Sequence, residues 1–364
     1  MKINGKQWRT IWLQSNGNSI GIIDQRKLPH NLTTQIISTH EEAADAIENM
    51  LVRGAPLIGV TAAYGLMLAL QKDPSDESLD KAYSKLLSTR PTAINLRWAL
   101  RRVRKLVISL PKEQRAEAAK KEAQEIAEED VFTCKAIGEH GLKVLRQVSN
   151  DRFFEKQKDP LNVLTHCNAG WLATVDWGTA LAPIYKAHRT GMNIHVWVDE
   201  TRPRNQGASL TAYELGCECI PHTVIVDNAG GHLMQHGLVD LVIVGSDRTT
   251  SRGDVCNKIG TYLKALAAYD NSVPFYVALP SSTIDWELTD GLNEIPIEIR
   301  SPLEVLEING LLNNGEMGTV KLCPNKSTSF NPAFDVTPSK LITGLITEQG
   351  VSCANEKALQ KLFK

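Results

Sequence analysis

The sequence predicts an α/β fold in two parts: a mainly helical domain over residues 1–150 and a parallel-sheet domain over 151–364. Three observations carry this. Apolar residues recur at helical spacing through most of the first 150 residues. From there on, short β-branched runs alternate with stretches of helical composition, the pattern of a parallel sheet covered on both faces. Between the two rhythms lies a polar, charged connector from Asp151 to Pro160, where the domain boundary is expected.

The elements follow in order. Ile20-Gly21-Ile22-Ile23-Asp24 has strand composition, so residues 1–40 read as a small β element and a loop. Thr39 with Glu42 three residues on spells a capping box, and Ala43, Ala44, Ile47, Met50 and Leu51 follow at helical spacing. Arg53-Gly54-Ala55-Pro56 breaks that helix, and an apolar helix is expected from Leu57 to Leu70. Amphipathic helices are expected near 76–89, 92–109 and 113–147. In the second half, strands are expected at Asn162–Thr165, Ile194–Val198, His222–Val226, Leu238–Val244 and Val273–Leu279. Helices should lie between them, near 171–190, 208–217, 230–237 and 254–270.

Composition excludes several functions. Among 364 residues, 40 Lys and Arg face 41 Asp and Glu, so the net charge of −1 argues against a globally basic nucleic-acid binder. The halves differ mildly, +5 over 1–150 and −6 over 151–364, which is too little to imply a polyanionic partner. Seven cysteines at irregular spacing read as free thiols in a reducing compartment, not as a disulfide framework. Met1-Lys2-Ile3-Asn4-Gly5-Lys6 has no apolar signal core, and no run reaches the ~20 residues of a membrane span. A cytoplasmic protein without membrane contact is expected. No Gly-x-Gly-x-x-Gly, Walker loop, Gly-x-Ser-x-Gly or His-Glu-x-x-His is present, and no metal site or cofactor is expected.

Reactive residues cluster just after the expected strands, where open α/β sheets bind ligands. Cys167 lies in Thr165-His166-Cys167-Asn168-Ala169-Gly170, at an expected strand-to-helix turn whose amides would lower its thiol pKa. Asp247 ends the run Leu241-Val242-Ile243-Val244-Gly245-Ser246, where apolar walls would raise its pKa and suit it to act as a general acid. Asp254 is expected to cap a helix whose first turn offers Asn257 and Lys258, with exposed amides as a phosphate site. Arg53 and Gly54 supply a guanidinium and close backbone approach. Arg202-Pro203-Arg204-Asn205-Gln206-Gly207 makes a polar binding loop. Each has a plainer alternative: a buried inert cysteine, a loop cap, a solvated helix start, a helix–helix turn, a crossover loop.

Taken together, these strings resemble the methylthioribose-1-phosphate isomerase family. The resemblance rests on Val52-Arg53-Gly54-Ala55-Pro56-Leu57-Ile58-Gly59, Arg90-Pro91-Thr92-Ala93-Ile94-Asn95-Leu96, the Cys167 segment and Asp199-Glu200-Thr201-Arg202-Pro203. It continues through Gln206-Gly207-Ala208, Gly253-Asp254-Val255, Asn257-Lys258-Ile259-Gly260-Thr261-Tyr262, Pro280-Ser281-Ser282-Thr283-Ile284-Asp285 and Asn331-Pro332-Ala333-Phe334-Asp335-Val336-Thr337-Pro338. The chain departs from the family's usual spelling at Ser246, beside Asp247.

The resemblance implies a helical N-terminal domain, a Rossmann-like C-terminal domain and a homodimer. It implies conversion of 5-methylthioribose 1-phosphate to 5-methylthioribulose 1-phosphate in methionine salvage. Carried over by motif, Cys167 and Asp247 would be catalytic, and Arg53, Gly54, Ala55, Arg90, Gln206, Asn257 and Lys258 would bind substrate. Other sugar 1-phosphates, or a non-catalytic role like that of translation-initiation exchange-factor regulatory subunits, are the competing readings.

Overall fold

The computed structural model describes residues 1–3, 5–90, 92–152 and 159–363. A short antiparallel pair, Lys2–Ile3 with Lys6–Gln7, precedes an antiparallel sheet of Ile11–Leu13, Ile20–Ile23 and Thr34–Ile37. Gly21 is required there, because a Cβ would fall 2.3 Å from the Trp12 ring. Helix His40–Glu48 starts with the expected capping box: Thr39 Oγ1 accepts from the Glu42 amide at 3.1 Å, and Glu42 Oε2 accepts from the Thr39 amide at 3.2 Å.

Helix Ala55–Lys72 follows, apolar on every side and therefore buried on every side. It packs against Asp76–Leu87, Ile94–Val107 and the 40-residue helix Lys112–Asp151. Ile94–Val107 turns Leu96, Ala99, Leu100, Val103 and Val107 inward, the one-face spacing of an amphipathic helix. The connector expected at 151–160 begins where the long helix ends at Asp151, and its residues 153–158 lie outside the described residues.

The second half is built on a seven-stranded, mostly parallel sheet. Its order is Gly350–Ser352, Gly344–Thr347, Phe275–Ala278, Leu241–Val244, Leu161–Thr165, Ile194–Asp199, His222–Ile225, and only Gly350–Ser352 runs antiparallel. All five expected strands are present. Side chains alternate between two apolar layers. Val163, Val196 and Ile243 face Leu145, Ile184 and Tyr185, whereas Leu164, Val242 and Val244 face Met234, Ala265 and Ala268.

The chain winds outward from Leu161–Thr165 in one direction and from Leu241–Val244 in the other. Their carboxyl ends form the topological switch point, where such sheets leave a crevice. A four-stranded sheet of Ile284–Asp285, Arg248–Thr250, Val255–Lys258 and Phe334–Thr337 stands beyond that edge. No helix among the described residues is long and apolar enough to cross a membrane.

Two expected helices are corrected. The helix expected at 254–270 begins only at Thr261, because Val255–Lys258 is a strand paired with Phe334–Thr337. Gly253 and Gly260, at φ of 92° and 101°, bracket it and prevent one helix from spanning the segment. The helix expected at 171–190 reduces to a single turn at Trp171–Ala173 and a helix at Leu181–Arg189, separated by a loop in which Trp177 and Gly178 have φ of 70° and 79°.

Candidate active site

The adjacent strands Leu161–Thr165 and Leu241–Val244 deliver Cys167 and Asp247 to the switch point. Cys167 is buried and adopts φ 66°, a left-handed conformation unusual for a side chain this size. Its amide donates to Thr201 Oγ1 at 2.8 Å, and its thiol donates to Gln206 Oε1 at 3.5 Å. Asp247, half-buried, is tied by its amide to the Cys256 carbonyl at 2.9 Å. Ser246, where the family spelling changes, bonds to Thr249 Oγ1 at 2.9 Å.

Three cations converge on this pair. Arg53 comes from the loop before helix Ala55–Lys72, Arg90 from the loop before Ile94–Val107, and Lys258 from the end of strand Val255–Lys258. All three are buried. Burial pushes the Cys167 thiol up, against the opposite pull of Arg53 and Lys258. Burial likewise raises the Asp247 carboxyl, with Lys258, then Arg90 and Arg53, opposing it. Burial lowers the Lys258 ammonium, against Cys167 and Asp247. Cys167 thus sits within electrostatic reach of Arg53, Lys258 and Asp247, and Asp247 within reach of Lys258, Arg90 and Arg53.

The Asp247 direction is the one expected. The Cys167 direction is reversed: a lowered thiol pKa was expected from a helix start. The nearest helical turn begins four residues later, and Glu214 accepts its Trp171 amide at 2.7 Å and its Leu172 amide at 3.2 Å. Its dipole is therefore spent on a carboxylate, and desolvation of the thiolate wins.

Each cation is held from behind. Arg53 donates to Asn168 Oδ1 and, at 2.5 Å, to the Asn168 carbonyl. Arg90 donates from Nε to Glu298 Oε2 at 3.0 Å, while its buried Nη1 has no partner among the described residues. Lys258 Nζ lies 4.6 Å from the centre of the Phe334 ring. Asn257 Nδ2 donates to Thr261 Oγ1 at 3.0 Å.

Gly54 at φ 96° leads into Ala55 and Pro56 at the start of the apolar helix, and no side chain caps that terminus. The expected phosphate-binding helix start is corrected. Asp335 accepts from the Gly260 and Tyr262 amides at 2.7 and 3.1 Å, so the start of Thr261–Asp270 is already occupied by a carboxylate. Asp254 caps no helix there; it accepts from the Gly291 and Ser339 amides at 3.1 and 2.9 Å. In the loop after Asp199, Thr201 meets the Cys167 amide and Gln206 its thiol, whereas the two arginines point elsewhere. Arg202 turns to the carbonyls of Pro203, Glu304 and Val305, and Arg204 pairs with Glu304 at 2.8 Å.

His166, Asp199 and Asp227 bring three candidate metal ligands together. Both His166 ring nitrogens are engaged, Nδ1 with Asp199 at 2.8 Å and Nε2 with the Ile259 carbonyl at 2.7 Å. The Lys264 ammonium stands 3.2 Å from Asp199. This donor set suits an internal ion-pair network that already contains its cation. Sequence reasoning missed the residues that hold the site's side chains in place: Thr201, Glu214, Glu298 and Asp335. Thr201 and Asp335 lie within segments that carry the resemblance but were given no role there, and Glu214 and Glu298 stand in none of those segments.

A family model described as the initiation factor 2 subunit family matches residues 51–353. A methylthioribose-1-phosphate isomerase of Methylocella silvestris is 60% identical over 364 residues, covering 100% of this chain and 99% of its own. This chain belongs to the methylthioribose-1-phosphate isomerases of the initiation factor 2 subunit family. Solved structures agree with that placement. The 5-methylthioribose 1-phosphate isomerase of Pyrococcus horikoshii matches with a TM-score of 0.82 and 42% identity, over 98% of this chain and 96% of its own. A structure from A. fulgidus, described as the translation initiation factor eIF-2B, subunit delta, matches with a TM-score of 0.77 and 39% identity, over 98% and 99%. The family thus carries both enzyme and initiation-factor names on one fold, and the site's chemistry has to speak for function.

Proposed function

We propose that this chain is an aldose–ketose isomerase of methionine salvage, converting 5-methylthioribose 1-phosphate to 5-methylthioribulose 1-phosphate. The observation that carries the reading is the convergence of Cys167 and Asp247, from adjacent strands, with the cations Arg53, Arg90 and Lys258. A protein-interaction module has no chemical need to gather a thiol, a raised carboxyl and three buried cations in one crevice.

Arg53, Arg90 and Lys258 would hold the phosphate dianion, with the open Arg90 Nη1 and the uncapped turn at Gly54 and Ala55 adding donors. Gln206 and Asn257 would bind the sugar hydroxyls. A cavity of about 580 Å³ has Arg53 and Gln206 in its wall; the wall is mixed, with Arg26, Arg204, Glu304 and Asn309 beside Met50, Leu210, Ile308 and Met317, and the last four offer a thioether its apolar contact.

Phosphate on the anomeric oxygen locks the ring, so the enzyme must open a ring that does not open by itself. Asp247, its carboxyl raised by burial, gives its proton to the ring oxygen as the C1–O bond breaks. A hydride then carries the C2–H electron pair to the electron-poor C1. The C2 hydroxyl becomes the ketone and returns its proton to Asp247. Cys167 supports the developing charge as a neutral thiol, in keeping with its raised pKa. The alternative, in which a Cys167 thiolate moves the C2 proton to C1, has to overcome the desolvation that keeps the thiol protonated.

We further infer two domains, a helical one over 1–150 and a Rossmann-like one over 151–364, in a cytoplasmic homodimer. The seven free cysteines support the compartment. Leu263, Leu266 and Tyr269, exposed along one face of helix Thr261–Asp270, support a second copy.

The test is proton and phosphorus NMR with 5-methylthioribose 1-phosphate in D₂O. A ketose 1-phosphate without deuterium at C1 is expected. Cys167→Ser and Asp247→Asn should each abolish turnover while remaining folded. Deuterium at C1 would favour the thiolate route, and an inert, folded parent protein would overturn the enzyme reading.

A further inference from the structure

Glu214 is fully buried in helix Ala212–Cys217, and no cation pairs with it among the described residues. A carboxylate taken out of water in this way is costly unless it is saturated with donors. Here it has four. Asn168 Nδ2 and the Leu172 amide donate to Oε1 at 2.7 and 3.2 Å; the Trp171 amide at 2.7 Å and the Tyr185 hydroxyl donate to Oε2. Two of these contacts are a helix-turn cap. The contact with Asn168 is not explained by capping.

We propose that Glu214 is a positioning residue for phosphate recognition: it fixes the amide of Asn168, and Asn168 in turn aims the Arg53 guanidinium. Asn168 presents Oδ1 to Arg53 and Nδ2 to Glu214 and, at 3.2 Å, to Thr211 Oγ1. An amide has one accepting and one donating end. With Glu214 at its donating end, only the accepting end can face the guanidinium. Were the amide free to turn, its NH₂ group would meet the cation, and Arg53 would keep only the Asn168 carbonyl.

The backbone is shaped to admit this carboxylate. A Cβ at Gly170 would fall 1.9 Å from Glu214 Oε2, so the segment carrying Cys167 ends in a residue whose missing side chain lets Glu214 approach. Thr211 links the network back to the other half of the site, donating to the Cys167 carbonyl at 2.7 Å.

Glutamine cannot replace Glu214. Whichever way its amide is turned, its NH₂ group faces a backbone N–H, of Leu172 or of Trp171. Only the Tyr185 hydroxyl can reverse its role from donor to acceptor.

The proposal rests on the reading of Arg53 as a phosphate ligand, and the experiment separates the two. Inorganic phosphate is titrated into the full chain and its dissociation constant measured by phosphorus NMR, beside KM and kcat for the sugar phosphate. Arg53→Ala should weaken phosphate binding and raise KM about 10- to 100-fold, as loss of a charge-assisted contact requires. Glu214→Gln should weaken both at least fivefold with a smaller change in kcat. In the Arg53→Ala background it should change phosphate binding less than twofold, because the two act on one contact. Asn168→Ala, which leaves the Glu214 cap of Trp171 and Leu172 in place, should reproduce the Glu214→Gln defect and carries the test if Glu214→Gln does not fold.

If Arg53→Ala weakens phosphate binding but Asn168→Ala and Glu214→Gln leave it unchanged, or add to it independently, Glu214 is structural only and the proposal fails alone. If Arg53→Ala has no effect on phosphate binding, the reading of Arg53 fails and takes the proposal with it.

Discussion

The Cys167 thiol illustrates how a residue's chemistry escapes its local sequence. Its position after an apolar run marks it as reactive, and neighbouring amides argue for a thiolate. The fold reverses this, because the side chain is buried and the nearby turn is already capped by Glu214. Exposed Cys219 and Cys353 should therefore alkylate with iodoacetamide at pH 7.5 well before Cys167, as mass spectrometry of timed digests would reveal. First labelling at Cys167 would mean that the site holds a thiolate. Asp247 behaves the other way: burial raises its carboxyl, the direction its place after Leu241–Val244 predicts. Glu214 was illegible, since its neighbours Asn168, Tyr185 and Trp171 come from segments 29 to 46 residues away.

Among elements, those governed by short-range rules were read correctly. The Thr39 capping box forms as spelled, and Thr39→Ala should cost about 1 kcal/mol in a chemical denaturation curve, with no change in KM. Gly54 is more demanding. At φ 96°, and with a Cβ position only 2.5 Å from the Ala173 carbonyl oxygen, Gly54→Ala should cost more than ~1 kcal/mol and also disturb Arg53 beside it. A variant of unchanged stability and KM would contradict both claims. The strand Val255–Lys258 was misread as helix because four residues carry too little periodicity to identify an element. Its state is set by pairing with Phe334–Thr337, nearly eighty residues downstream, at Val255↔Thr337 and Lys258↔Phe334.

At the scale of the whole molecule, burial of carboxyl groups links stability to pH. Burial lifts Glu214 to about 7 and Asp130 to about 7. A carboxyl whose folded pKa is raised stabilises the fold fully below its unfolded pKa and loses that contribution as pH rises through the folded value. His40 and His195, lowered by burial, act in the opposite sense while the unfolded histidines still hold protons, an effect nearly complete by about pH 7.5. Between pH 6.5 and 8 the two carboxyls outweigh what remains of the histidine effect, so stability should fall by on the order of 1 kcal/mol. Thermal melts across this range should show Tm dropping, and Asp130→Asn should flatten the slope. A flat or rising profile in the parent protein would refute the assignment.

Local order in this protein was legible because it depends on neighbours within a turn or two: five strands of the main sheet, the helices of the first 150 residues and the cap at Thr39. So was the placing of Cys167 and Asp247 just beyond strand ends, because open parallel sheets present their carboxyl edges to ligands. The switch point was not legible, since it depends on strand order and not on strand composition. Nor was the occupied start of Thr261–Asp270, because the Asp335 that fills it is more than seventy residues away in sequence. Desolvation and long-range hydrogen bonding act through space, so the folded structure alone gave the direction in which burial moves the Cys167 thiol, the partners of Glu214, and the contacts that hold Arg53, Arg90 and Lys258.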